Sequence, residues 1–143
     1  ENQLAVGEGG GTRLRYGVFH SEINTAGKLC YLTNGSSTIW RPFAANSSTQ
    51  SGSMLAAALD VDGGADEGLV LLRGFINVPQ GLINGTLVAS SPLYASNDTA
   101  GEYDVNLPSD SGDVVRIVGY CIDTDSSNAL VWFDPDKTWV TVA

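Results

Sequence analysis

Between residues 102 and 107 polar and apolar positions alternate strictly, with Tyr103, Val105 and Leu107 on one side and Glu102, Asp104 and Asn106 on the other. Successive side chains of a strand point to opposite faces, so this pattern predicts a strand with one face buried. Pro108 ends it, a polar turn follows over 109–113, and 114–122 is almost continuously apolar. A short apolar run bounded by turn residues predicts a strand buried on both faces. The two segments read as an outer strand laid against a central one. Tyr103, Val105, Leu107, Val115, Ile117 and Cys121 are expected in one continuous core.

The same vocabulary runs through the chain. Residues 13–19 alternate, with Leu14, Tyr16 and Val18 sharing a face, and 29–33 form a short apolar run stopped by Asn34-Gly35, a strong hairpin dipeptide. The strand resumes over 38–43, where Pro42 marks an edge or an end. Met54-Leu55-Ala56-Ala57-Ala58-Leu59 has helix-forming composition, but it is short and runs into an acidic, glycine-bearing turn. It is read as a strand, with a single helical turn as the alternative. Residues 69–78 place Val70, Leu72, Gly74, Ile76 and Val78 on one face, and Leu69, Leu71 and Phe75 on the other. A broken strand over 82–89 and a closing pair at 130–133 and 138–142 complete the series. This amounts to about nine to eleven short strands with turn signals every 8–12 residues or so. The expectation is an all-β fold, a small barrel or sandwich, over residues 13–143, with polar, glycine-rich residues 1–12 as a flexible arm.

Composition agrees with many tight turns: glycine, serine, threonine, asparagine and aspartate abound, while lysine and glutamate are scarce. The formal net charge is −9. That excludes the basic footprint a nucleic-acid partner requires and disfavours an anionic membrane surface. No apolar run approaches the roughly 20 residues of a membrane span. The two cysteines, Cys30 and Cys121, each lie in an apolar run and read as buried thiols, a disulfide between them being the alternative.

Candidate chemistry is sparse, and no catalytic residue is assigned. Asp60, Asp62, Asp66 and Glu67 bring four carboxylates into eight residues, a spacing that could present oxygen ligands to calcium, although it departs from the EF-hand pattern. The bland reading is a solvated hairpin tip. His20 is the sole histidine, and a nucleophile needs a base that is itself oriented by a third group, so Phe19-His20-Ser21 reads as a turn. Carboxylate pairs for glycoside hydrolysis are likewise outweighed by solvated turn acids. Trp40 and Trp132, among eight Trp and Tyr residues, are candidates to stack on sugars; core packing or a subunit interface explains them first. Arg73 and Arg116 interrupt apolar strands, and each should meet a carboxylate or an interface.

The stretch from Leu93-Tyr94 through Gly101, Pro108 and Val118-Gly119-Tyr120 to the Asp134-Pro135 turn and Trp139 resembles a phrase found in virion structural modules of tailed bacteriophages, of the capsid-decoration and fibre types. Over 55–75 a small-residue strand, an acidic turn and a strand reaching Arg73-Gly74 extend the resemblance, which covers roughly the C-terminal two-thirds. The resemblance implies a non-catalytic β module located in the virion. It would form a homo-oligomer, a trimer most naturally, and bind other virion proteins through β surfaces and the N-terminal arm. A lectin-like, glycan-binding module of a tail fibre is the alternative.

Overall fold

The structure, a computed structural model, describes residues 6–34, 39–46, 50, 52–61 and 67–143. The chain is all-β. The strands are β1 (Gly9–Arg15), β2 (Val18–Phe19), β3 (Leu29–Leu32), β4 (Ile39–Pro42), β5 (Leu55–Asp60), β6 (Leu69–Pro79) and β7 (Ile83–Asn84). They continue as β8 (Pro92–Ala95), β9 (Tyr103–Asp104), β10 (Val114–Val115), β11 (Ile117–Thr124), β12 (Asn128–Phe133) and β13 (Val140–Thr141). Eleven of them form one mixed sheet in the order β2-β4-β3-β5-β6-β12-β11-β8-β9-β7, with β1 added alongside β6, and β10 pairs β13 in a separate ribbon. Among the described residues the ends of that path, β2 and β7, do not pair, so no barrel closes.

β6 is the hub. One of its edges carries β1 along nearly its whole length, from Arg15 opposite Leu69 to Gly9 opposite Ile76. The other is divided between β5 at Leu69–Leu71 and β12 at Gly74–Pro79. The sheet therefore branches at Leu72 and Arg73. Both branches turn apolar side chains toward one core, which takes Leu29 and Ala57 from one side and Leu93, Val118, Val131 and Phe133 from the other. The connection that follows β8 ties the branches together. Leu29 donates to the Gly101 carbonyl at 2.9 Å, Gly101 to that of Phe43 at 2.8 Å, and the Tyr103 hydroxyl to that of Gly27 at 2.7 Å.

β5 resolves the ambiguity of its sequence. It is a strand, and its alanines are small because both faces are covered. Leu55 and Ala57 enter the main core, while Ala56 and Ala58 join Ile23, Cys30, Trp40 and Val70 in a second cluster on the opposite face.

Several expectations are corrected. Residues 103–107 and 114–122 do not pair with each other. β8 lies between β9 and β11, because Tyr94 and Ala95 pair with Asp104 and Tyr103 while Leu93 and Tyr94 pair with Gly119 and Ile117. Of the expected core set, Tyr103 and Cys121 are buried and Val105 packs against them, but Leu107 is 57% exposed and Val115 and Ile117 are half-buried outside both clusters. β11 is buried on one face, since Tyr120 and Ile122 are exposed. In β6, Leu71 and Ile76 share a core although their parity differs. The register against β1 skips Leu72, and such an irregularity turns the strand over. Gly9–Thr12, expected within the arm, are the first half of β1.

β1 can lie so close to β6 because glycines face each other there. Gly11 (φ 152°) is opposite Gly74 (φ 145°), and a Cβ on either would fall inside the neighbouring strand's backbone. Such positive φ values are reached readily by glycine alone.

Candidate functional site

The acidic turn is described at its two ends. Asp60 closes β5, half-exposed, with its carboxylate 3.8 Å from the Arg15 guanidinium, which also donates to the Glu67 backbone carbonyl at 3.0 Å. Asp62 and Asp66 lie outside the described residues, and among those described no group of three or more His, Cys, Asp or Glu is placed to hold a metal. His20 sits in a turn with Nδ1 3.3 Å from the Glu22 carboxylate.

The two tryptophans expected to stack on ligands separate. Trp40 is fully buried, packed in the second cluster with its indole N–H donating to the Tyr16 carbonyl at 2.7 Å. No ligand reaches either ring face, so its proposed stacking role is withdrawn. Trp132 lies on the outer face of the sheet, half-buried. Phe75 stands directly across from it on β6 and Tyr120 directly across on β11. The Phe75 and Trp132 centroids are 4.8 Å apart at 59°, and the Arg73 guanidinium lies 5.4 Å from the Trp132 ring. Arg73 also meets the Asp134 carboxylate at 3.4 Å. Phe75 and Tyr120, 44% and 42% exposed, complete a row of three rings across three strands. The sequence carried a signal for this row: Phe75 stands between the inward-facing Gly74 and Ile76, and Tyr120 between the buried Gly119 and Cys121.

A second apolar surface lies at the C-terminal end. Tyr94, Leu107, Val115, Ile117, Trp139 and Val140 line a shallow groove of about 280 Å³. Its rim is the β10–β13 ribbon, where Val115 is directly opposite Val140. Beside it Arg116 is buried, donating to the Asp136 and Ser53 carbonyls at 2.8 and 3.3 Å, with Trp139 5.0 Å from its guanidinium. Burial lowers its pKa, and the Asp136 carboxylate opposes that shift. Arg73 thus meets a carboxylate, as expected of a charge in an apolar strand, and Arg116 meets carbonyls and a ring.

Cys30 and Cys121 are free buried thiols in different clusters, and burial raises the pKa of both, with Asp123 adding to the shift at Cys121. A thiol held neutral is a poor nucleophile.

No family model matches this chain, and no curated protein or solved structure matches it either.

Proposed function

We propose that this chain is a structural module of a tailed-phage virion, of the capsid-decoration or fibre type, that acts by assembling with copies of itself and with other virion proteins and performs no catalysis. One observation carries the reading: residues whose sequence pattern points to burial are left exposed or only half-buried in the single chain. Leu107, Val115 and Ile117 occupy the apolar positions of alternating or continuous strand segments, yet they line an open groove with Tyr94, Trp139 and Val140. Leu107 is 57% exposed and Val140 67%. Apolar side chains gathered at an open groove, with Asp136 and Thr138 at its edge, support association with another subunit. Covering it contributes about 25 cal/mol per Å² of apolar area.

The β10–β13 ribbon strengthens the argument. Two strands of two residues each make a marginal ribbon, held to the body by the buried Val114, whose N–H donates to the Ala45 carbonyl at 2.7 Å, and the Val115–Val140 pair is left for another subunit to cover. Every side chain of this groove belongs to the stretch that resembles phage virion modules. A homo-oligomer, a trimer by the same resemblance, would bury the groove in each subunit.

The test of the virion assignment is mass spectrometry of tailed-phage particles purified from the source of this gene. Peptides of the chain are expected in the particle fraction at a level comparable to coat proteins. Their confinement to the soluble fraction contradicts the assignment.

A further inference from the structure

A broad depression of the surface lies elsewhere, beside β1. It measures about 740 Å³ and is bounded by the backbone of Gly7–Gly10, by Arg13 and by the side chains of Phe75 and Leu130. A second depression of about 410 Å³ continues past Phe75 along Gly10–Thr12 to Arg73 and Trp132. Gly10 and Phe75 belong to both, so the Phe75 ring is a ridge between two adjoining hollows. Their sizes fall in the range of ligand-binding clefts, about 300–1,000 Å³. The wall along β1 is low because three consecutive residues, Gly9, Gly10 and Gly11, carry no side chain.

The chemistry of the rim selects the ligand. Charges of both signs stand around the rings: Arg13 and Arg73 donate, while Glu8 and the Asp134 carboxylate beside Arg73 accept. Arg13 has no hydrogen-bond or ion-pair partner among the described residues. Thr12 adds a hydroxyl. A hydroxyl group both donates and accepts, so a polyhydroxylated ligand uses donors and acceptors placed side by side, whereas an ion of one sign would be repelled by half of them. The net charge of −9 further opposes an anionic ligand. The rings supply flat apolar surface to the C–H face of a sugar. Phe75 and Trp132 sit on neighbouring strands, and the two hollows follow one another along β1 on either side of the Phe75 ring.

We propose that the hollows on either side of Phe75 bind a neutral oligosaccharide running alongside β1 over β6 and β12, its rings packed on Phe75 and Trp132 and its hydroxyls bonded to Arg13, Thr12 and the Arg73–Asp134 pair. This site goes beyond the assembly reading and shares no residue with the Tyr94–Val140 groove.

The experiment is titration of the full chain with cellohexaose, chitohexaose, mannohexaose and hexagalacturonate, followed by amide NMR and by Trp132 indole shifts. At least one neutral hexasaccharide is expected to shift the amides of Gly10, Gly11 and Phe75. Phe75→Ala, an exposed position, weakens that binding by about tenfold or more, Phe75→Tyr retains it, and Arg13→Ala weakens it with an unchanged spectrum elsewhere. Leu107→Ser, which alters the assembly groove, leaves it unchanged, so failure of one reading is distinguishable from failure of the other. The proposal is overturned if no neutral hexasaccharide moves those amides, if Phe75→Ala binds as tightly as the parent chain, or if hexagalacturonate binds best.

Discussion

Tyr103 does two things at once. Its ring fills the centre of the main core, and its hydroxyl donates at 2.7 Å to the Gly27 carbonyl of the segment leading into β3. Tyr103→Phe keeps the ring and leaves a buried carbonyl without this donor, so unfolding in urea should show a loss of about 1–2 kcal/mol. Burial also pushes the pKa of Tyr103, and of Cys30, far above its ordinary value. In the unfolded chain both groups lose their protons near the usual values, about 8.5 for a thiol and about 10 for a phenol. The folded state holds the protons and the unfolded state releases them, so stability is full at neutral pH and falls as pH rises past those values. Urea midpoints measured from about pH 7 to 11 should decline above about pH 8.5. A flat profile would contradict the burial of both groups. Cysteine burial was legible in the sequence, since Cys30 and Cys121 sit in apolar runs. The fate of Trp40 was not, because a tryptophan in a short strand reads alike whether or not a second layer covers it, and that layer comes from Ile23, far along an irregular stretch.

At the scale of elements, β1 and β6 show what glycine composition conceals. Residues 9–11 read as a flexible arm because glycine lowers the propensity for any regular structure. In the fold the same absence of side chains lets β1 lie against β6, with Gly11 facing Gly74. Replacing Gly74 by alanine drives a Cβ into the Gly10 carbonyl at a positive φ, and we expect a loss of about 1–3 kcal/mol with β1 released first. Hydrogen exchange would report this as faster exchange at Gly10 and Thr12 while β12 remains protected. Equal slowing or no change at β1 would argue against the contact. The strand character of β6 was legible from apolar continuity and alternation, whereas β5 was ambiguous and read as a strand because it is short and runs into an acidic turn. Branching of the sheet at Leu72 was not, because a one-residue irregularity leaves no mark on a hydrophobic pattern and reverses every face beyond it. Nor was the position of β8: alternation says that a strand has a buried face and is silent about which strand lies beside it.

For the whole molecule, the division between core and surface is the informative feature. The sequence pattern placed six residues in one core, and the fold buries Tyr103 and Cys121 while leaving Leu107, Val115 and Ile117 around an open groove with Trp139 and Val140. The expected single core therefore holds for Tyr103, Val105 and Cys121 and fails for the other three, because alternation gives each strand an apolar face without saying what covers it. The chain carries 16 Asp and Glu against 7 Lys and Arg, a net charge that opposes non-specific self-association. Of the sugar-stacking candidates, Trp132 was legible as an aromatic on a strand. Tyr120 was counted among the same aromatics and Phe75 stood at an alternating position, but the registers of β6, β12 and β11 were needed to set the three in one row. Assembly through the Tyr94–Val140 groove is tested most directly by sedimentation velocity of the full chain beside a Leu107→Ser, Val140→Ser variant. The parent is predicted to sediment as a homo-oligomer and the variant as a folded monomer with an unchanged far-ultraviolet circular dichroism spectrum, because both positions are exposed in the single chain. A parent that stays monomeric throughout the micromolar range, or a variant that assembles equally well, would contradict the account.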